Sequence, residues 1–219
     1  MKAVFFDLDG TLTDPRAGIV GCIRYAFEQL GVALPAGDDL TWCIGPPLQD
    51  SLGELLRGRA SADEALQLYR KRFASVGLYE NTLYDGVADM LALLKARRHR
   101  LYLATSKPHV YAARILKHFA LDGYFDGVFG AELDGTRADK SALLAHALAR
   151  SKEAPGASVM IGDRRHDIAG ALANGMACIG VVYGYGGRDE LRAAGAQRII
   201  ETPRQIAEIL ASPLFQDRL

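Results

Sequence analysis

Short runs of apolar residues alternate along most of the chain with segments in which apolar residues recur every three or four positions. Continuous apolar runs predict strands of a sheet that is covered on both faces, and the longer period predicts amphipathic helices. The predicted strands cover residues 3–8, 100–105, 127–130, 158–161, 178–182 and 198–200. The predicted helices among them cover residues 87–97, 109–119, 140–150, 168–174 and 204–211. This alternation predicts an α/β fold with a parallel sheet.

The stretch from residue 14 to residue 81 breaks the alternation, because it contains three helical patterns and no convincing strand. The helical patterns lie at residues 17–30, 48–56 and 62–76. Such a segment is too long for an ordinary connection between two strands of a sheet. We therefore predict an inserted α-helical cap domain at residues 15–81 and an α/β core domain formed by residues 1–14 and 82–219.

The charge balance of the 219 residues limits the kind of partner that we expect. Twenty-six Lys and Arg residues balance 26 Asp and Glu residues, so the chain lacks the basic excess that drives binding to nucleic acid. No window approaches the roughly 20 apolar residues of a membrane-spanning helix, and the first residues do not resemble a secretory signal. We therefore expect a cytoplasmic protein that binds neither nucleic acid nor membrane, although a small anion could still bind at a local positive site.

Aspartates follow two of the predicted strands. Asp7 and Asp9 end the first strand, and Asp163 and Asp167 follow the strand at residues 158–161. A carboxylate at the buried end of a central strand is costly unless a cation or metal pairs with it, which favours a functional role for Asp7 over a simple turn. Asp167 is equally well explained as the N-cap of the next helix. This set of oxygen ligands suits Mg²⁺ that also contacts a substrate phosphate.

Hydroxyl groups and lysines precede or begin two of the predicted helices. Thr105, Ser106 and Lys107 follow the second predicted strand and lead into a helix, whose free N–H groups form an anion site. Lys140 begins the helix that follows the third predicted strand. Taken singly, these residues are also explained as helix caps and as a solvated lysine. Their positions at strand ends favour a role in anion binding.

Four sequence blocks together resemble the motifs of the haloacid dehalogenase superfamily of phosphohydrolases. The blocks are Asp-Leu-Asp-Gly-Thr at residues 7–11, Thr105, a lysine, and the Gly-Asp-x-x-x-Asp block at residues 162–167. The inserted helices, Gly-Pro-Pro-Leu at residues 45–48 and Tyr-Gly-Tyr-Gly at residues 183–186 are similar to the phosphoglycolate phosphatase-like and 5′-nucleotidase-like branch. The resemblance implies a Rossmann-like parallel sheet core with a helical cap.

The resemblance also implies roles for the four aspartates. Asp7 would be the nucleophile that forms an aspartyl-phosphate, and Asp9 would be the general acid and base. Asp7 and Asp163 would bind Mg²⁺ directly, Asp9 would contribute its backbone carbonyl, and Asp167 would bind through water or support the other ligands. Mg²⁺ and a lysine would offset the repulsion between the anionic nucleophile and the anionic phosphate.

The identity of that lysine is open on the sequence alone. Related sequences often carry it in a Lys-Pro block, whereas Lys140 stands in an Asp-Lys-Ser context. Lys140 is favoured because it lies in the usual interval between the second motif and the last, and Lys107 is the alternative. By the resemblance, Thr105, Ser106 and both lysines would bind the substrate phosphate, with Thr105 and Lys140 counted as catalytic.

The resemblance implies a Mg²⁺-dependent phosphatase that hydrolyses a small phosphorylated metabolite, either 2-phosphoglycolate or a nucleoside 5′-monophosphate. The alternative is a phosphosugar mutase of the β-phosphoglucomutase type, and a binding module without activity is disfavoured because all the expected acidic groups are present. Dehalogenation is not expected, since dehalogenases proper lack the aspartate found here at Asp9. Either a monomer or a homodimer agrees with the sequence.

Overall fold

A six-stranded parallel sheet forms the framework of the computed structural model, which describes residues 2–35, 37 and 39–212. The strands, including two short ones outside this sheet, are β1 Ala3–Phe6, β2 Thr13–Asp14, β3 Thr82–Leu83, β4 Arg100–Pro108, β5 Gly127–Ala131, β6 Ser158–Gly162, β7 Ala177–Val181 and β8 Arg198–Ile200. The helices are α1 Arg16–Gln29, α2 Leu48–Leu56, α3 Ala62–Arg72, α4 Val87–Ala96, α5 His109–His118, α6 Lys140–Ser151, α7 Arg165–Ala173, α8 Arg188–Ala193 and α9 Arg204–Ala211.

The strand order is β5-β4-β1-β6-β7-β8, which places β1 in the middle of the sheet between β4 and β6. Phe6, the last residue of β1, is paired with Leu103 of β4 and with Ile161 of β6. All four residues of β1 are buried, as expected for a central strand with both faces covered. The carboxyl ends of three neighbouring strands therefore lie side by side at one edge of the sheet.

Apolar side chains on one face of the sheet pack against the helices that follow β5 and β6. Phe5, Tyr102 and Met160 on three adjacent strands form a buried cluster with Leu143 of α6 and Ile168 of α7. The rings of Phe5 and Tyr102 stack with their centroids 4.8 Å apart. Burial of this apolar area fixes the first turns of α6 and α7 beside the carboxyl edge of the sheet.

The chain divides into two compact units, with boundaries between Thr13 and Asp14 and between Thr82 and Leu83. The unit over Asp14–Thr82 contains α1, α2 and α3. Within it, Arg72 forms a bidentate pair with Glu80, with N–O distances of 2.7 and 2.9 Å. None of the helices in the described part of the chain has the length and apolar character needed to cross a membrane.

The structure differs from the sequence-based elements mainly at their ends. Helix α7 begins at Arg165, three residues before its predicted start, because the Asp167 carboxylate accepts a hydrogen bond from the Arg164 N–H and caps the helix. The predicted helix at residues 62–76 is α-helical only to Arg72 and ends in a π-helical turn at Phe73–Gly77. Helix α8 and the two-residue strands β2 and β3 had no prediction, since elements this short carry no clear periodicity.

Candidate active site

The first pair of aspartates lies where β1 ends and the chain turns. The Asp7 N–H donates to the Ile161 carbonyl at 2.9 Å, so the backbone of Asp7 still belongs to the sheet. Two residues later Asp9 precedes Gly10, whose φ of +83° suits glycine, and the N–H groups of residues 11–13 all point to the Leu8 carbonyl. Asp7 and Asp9 are thus both buried but have different backbone orientations.

A group of three buried carboxylates forms between β1 and the junction of β6 and α7. Asp163 follows β6 directly and is fully buried, and Asp167 lies in the first turn of α7. Asp7, Asp163 and Asp167 each offer a carboxylate oxygen, and these oxygens all lie within 4.8 Å of one another. The group does not include the Asp9 carboxylate. We call these three residues the aspartate cluster.

Lys140, the first residue of α6, points its ammonium group into the aspartate cluster. Its Nζ lies 2.9 Å from Asp7 Oδ1 and 2.7 Å from Asp167 Oδ1, and it donates to the Ala104 carbonyl at 3.0 Å. Asp139 caps α6 by accepting a hydrogen bond from Ala142, which fixes the first turn of the helix. Lys140 is therefore a buried cation in contact with two carboxylates and one backbone carbonyl.

A second lysine neutralises the carboxylate that lies outside the cluster. Lys107 at the end of β4 places its Nζ 2.7 Å from Asp9 Oδ2. The Lys107 N–H donates to the Thr105 hydroxyl at 3.2 Å, and Thr105 itself is buried. Ser106 lies between them in the chain and is half-buried. The other oxygen of Asp9, Oδ1, is buried and has no hydrogen-bond partner among the described residues.

Burial and mutual repulsion raise the pKa values of three of these carboxyl groups. Burial raises the pKa of Asp163 well above its ordinary range, and repulsion by Asp167 and Asp7 adds to it. Burial raises the pKa of Asp167 to about 6, although attraction to Lys140 opposes the change. Burial also raises the pKa of Asp9 against the effect of Lys107. For Lys140, burial acts to lower the pKa, but attraction to Asp167 and Asp7 outweighs it.

The sequence profile of the haloacid dehalogenase-like hydrolase family matches residues 4–181 of this chain. The matched range includes the four aspartates, Thr105, Ser106 and both lysines of the site. The chain belongs to the haloacid dehalogenase-like hydrolase family. This finding confirms the family, the α/β fold class and the hydrolase class that the motifs predict.

Similar proteins within the family are named for several activities. A 5′-nucleotidase of Pseudomonas aeruginosa is 49% identical over 87% of this chain and 86% of its own. The tyrosine-protein kinase PtkA of Mycobacterium tuberculosis is 44% identical over 86% of this chain, which spans only 64% of that longer protein. The crystal structure of a predicted phosphatase from Clostridium acetobutylicum has a TM-score of 0.89 and 36% identity, and the match covers 95% of this chain and 97% of that one.

The net charge of the aspartate cluster and its lysine would be balanced by one divalent cation. The three carboxylates of the aspartate cluster face one ammonium group, that of Lys140, which leaves a formal charge of −2 beside the separate pair of Asp9 and Lys107. A cluster made only of carboxylate oxygens is the donor set that Mg²⁺ prefers. The residues present therefore fit the metal that the family implies, with Asp7, Asp163 and Asp167 as the side chains placed to hold it.

The structure brings every predicted site residue to the carboxyl edge of the sheet but distributes them differently from the sequence-based expectation. Asp9 was predicted to bind the metal through its backbone carbonyl, which leaves its carboxylate free to pair with Lys107 as it does in the structure. Both lysines that competed for one role lie in the site, each with a different carboxylate. Sequence reasoning missed the N–H of Tyr185, which donates to Asp163 Oδ2 at 2.7 Å. The glycines on both sides of this tyrosine were the available signal.

Proposed function

We propose that this protein is a Mg²⁺-dependent phosphatase that hydrolyses a small phosphomonoester through an aspartyl-phosphate on Asp7. The proposal rests on one observation: the two aspartates of the first motif, Asp7 and Asp9, lie in different surroundings. Asp7 belongs to the aspartate cluster and contacts Lys140, whereas Asp9 pairs with Lys107. Two carboxylates in separate environments suit two separate roles, a nucleophile and a proton carrier.

The aspartate cluster would hold Mg²⁺, which supplies positive charge next to the phosphate oxygens when it is bound. Asp163 and Asp167 are nearly or completely inaccessible to solvent, so their negative charges are poorly screened by water. Four carboxylates around two lysines therefore give the site a net attraction for a divalent cation. Asp9 would add its backbone carbonyl, as the resemblance implies, while its side chain remains available for proton transfer.

In the first step a carboxylate oxygen of Asp7 attacks phosphorus, and the bond from phosphorus to the ester oxygen breaks. Asp9 donates its proton to the departing oxygen, which leaves as an alcohol. In the second step Asp9 takes a proton from a water molecule that attacks the aspartyl-phosphate, releasing inorganic phosphate and regenerating Asp7. Burial raises the pKa of Asp9, which favours the protonated form that the first step needs.

The remaining predicted residues would bind and orient the phosphate. Lys140 reaches Asp7 directly, so its charge lies beside the oxygen that attacks. Thr105 and Ser106 lie near the carboxyl end of β4, the strand next to β1, where their hydroxyls and backbone would donate hydrogen bonds to phosphate oxygens. Lys107 is paired with Asp9 and would contact the phosphate on the side of the leaving group.

Nucleoside 5′-monophosphates are the first substrate class to test, because the similar Pseudomonas aeruginosa protein is named a 5′-nucleotidase. The second class is 2-phosphoglycolate, since two relatives at 27% and 28% identity are named phosphoglycolate phosphatases. The mutase alternative is not favoured, because similar proteins are named 5′-nucleotidase, phosphatase, phosphoglycolate phosphatase and pyrophosphatase, which are hydrolases.

The test is release of inorganic phosphate by the purified protein from a panel of both classes, with Mg²⁺ and with excess chelator. We expect release that depends on Mg²⁺ and is abolished in Asp7→Asn, with circular dichroism showing that the variant is folded. Transient labelling of the wild-type protein by a ³²P-labelled substrate would identify the covalent step. Phosphate release that persists in Asp7→Asn would contradict the mechanism, and an inactive wild-type protein across the panel would contradict the function.

A further inference from the structure

A short loop that follows β7 contacts the aspartate cluster from outside the motifs. We call residues 183–186, with the sequence Tyr-Gly-Tyr-Gly, the glycine loop. It begins two residues after Val181, the last residue of β7, and ends before α8. Because β7 is the neighbour of β6, the loop lies beside the strand end that carries Asp163.

Hydrogen bonds join the glycine loop to two segments of the site. The N–H of Tyr185 donates to Asp163 Oδ2 at 2.7 Å. The hydroxyl of Tyr183 donates to the carbonyl of Thr11 at 3.0 Å, in the segment that follows Asp9. The ring of Tyr183 also meets that of Tyr84 edge to face, with centroids 5.1 Å apart. The loop thus links the first motif to the last one.

Space, and not backbone conformation, explains the glycines of this loop. Neither Gly184 nor Gly186 has a positive φ, so another residue could adopt their backbone angles. A Cβ at Gly184 would collide with the Gly10 carbonyl and with the Asp163 side chain. A Cβ at Gly186 would collide with the Asp163 carbonyl. The backbone of the loop therefore packs directly against both the side chain and the main chain of Asp163.

We propose that the glycine loop is a positioning element that holds the carboxylate of Asp163 in the orientation required for cation binding. The inference rests on the proposed Mg²⁺ site. Asp163 has no exposed surface, and its Oδ2 is fixed by the Tyr185 N–H, so the loop limits how the carboxylate can rotate. Mg²⁺ tolerates little departure from ideal ligand geometry, and partners that orient its ligands strongly affect its affinity.

The test compares Gly184→Ala with Gly187→Ala, since an added methyl group at Gly187 meets nothing within 4 Å. The measurement is the increase in melting temperature of the full chain with increasing Mg²⁺ in the absence of substrate, from which an apparent dissociation constant follows. We expect Gly184→Ala to weaken Mg²⁺ binding by about 10- to 100-fold. Gly187→Ala should bind Mg²⁺ as the wild type does.

A milder variant, Tyr183→Phe, covers the case in which Gly184→Ala does not fold. It removes only the hydroxyl that donates to the Thr11 carbonyl. We expect the dissociation constant for Mg²⁺ to rise by about fivefold, which corresponds to the net contribution of one hydrogen bond. Wild-type Mg²⁺ affinity in a folded Gly184→Ala protein, or in Tyr183→Phe when Gly184→Ala is unfolded, would overturn the inference. If the wild type itself shows no response to Mg²⁺, the proposed function fails first, which is a separate result.

Discussion

Replacement of Lys140 by Met is the most direct test of how the site is balanced. Methionine has a similar length and no charge, so the change removes the ammonium group with little loss of volume. The side chains of Lys140, Asp7 and Asp167 are 5%, 7% and 2% exposed, so the two carboxylates that contact Nζ at 2.9 and 2.7 Å cannot gain water in its place. The variant leaves the aspartate cluster without its buried cation.

The expected cost follows from this burial. Removal of one partner from a buried ion pair lowers the free energy of unfolding by about 3–5 kcal/mol. Part of this cost is avoided when a carboxyl group takes up a proton. The pKa of Asp167 is already raised to about 6 with Lys140 present, and it will rise further without it. A raised carboxyl pKa makes the folded state bind more protons than the unfolded state. The free energy of unfolding of the variant should therefore fall as the pH rises toward the raised pKa of its Asp167.

The assay is urea denaturation of the wild type and Lys140→Met at pH 5 and pH 8 without Mg²⁺, with phosphatase turnover measured at pH 7.5. Lys95→Met is the matched control, because Lys95 pairs with Asp126 at 2.9 Å while both side chains are about one-third exposed. We expect the control to lose less than about 1 kcal/mol. Turnover of Lys140→Met should fall by about 10²–10³-fold. Turnover within a factor of three of wild type, or a stability loss no larger than that of the control, would refute the reasoning.

Three further predictions concern single residues. Asp9→Asn should lower turnover by about 10²–10⁴-fold yet retain the Mg²⁺-dependent rise in melting temperature, whereas Asp163→Asn should lose that rise. Loss of Mg²⁺ binding in both variants would show that the side chain of Asp9 also binds the metal. Lys107→Met should reduce kcat/KM at least about tenfold, and Lys107→Arg should restore part of it in steady-state kinetics; equal activity of the two variants would argue against a role for the charge. Burial lowers the pKa of His99, so the unfolded state takes up a proton first and the free energy of unfolding should fall as the pH drops below about 6.5. Urea denaturation of His99→Gln at several pH values should show a weaker dependence of this free energy on pH, and a dependence equal to that of the wild type would contradict the prediction.

The middle of the sheet could be predicted from the sequence because β1, β6 and β7 are buried along their whole length and are therefore rich in consecutive apolar residues. The strand Arg198–Ile200 was predicted with the bounds it has in the structure, and the helix Arg204–Ala211 likewise. Helix α8 has six residues and β2 and β3 have two each, which is shorter than the stretches of about 11 and about four residues over which a helical or a strand pattern can be recognised. The early start of α7 depends on a side-chain cap that no periodicity shows.

The candidate site was predictable in its residue types and not in its pairings. Asp7 could be singled out because a carboxylate at the end of a buried strand needs a partner. Its partner, Lys140, is 133 positions away in the sequence, and the choice between Lys140 and Lys107 cannot be made from spacing alone. In the structure Lys140 contacts Asp7 and Asp167, and Lys107 contacts Asp9. The contact of Tyr185 with Asp163 is made by the backbone, so its signal in the sequence is the pair of glycines beside the tyrosine and not the tyrosine itself.

These pairings bear on why the proposed reaction needs a cation that the chain does not supply. Lys140 is held by two carboxylates of the aspartate cluster, so its ammonium group brings no excess positive charge to the cluster. A phosphate dianion that approaches Asp7 meets the formal charge of −2 on the aspartate cluster and Lys140, and we expect it to bind only after that charge has been balanced. One divalent cation in the aspartate cluster balances it, which makes metal binding a condition for phosphate binding. Binding of vanadate, a phosphate analogue, should therefore be lost in excess chelator, and vanadate binding that persists there would show that the two lysines suffice.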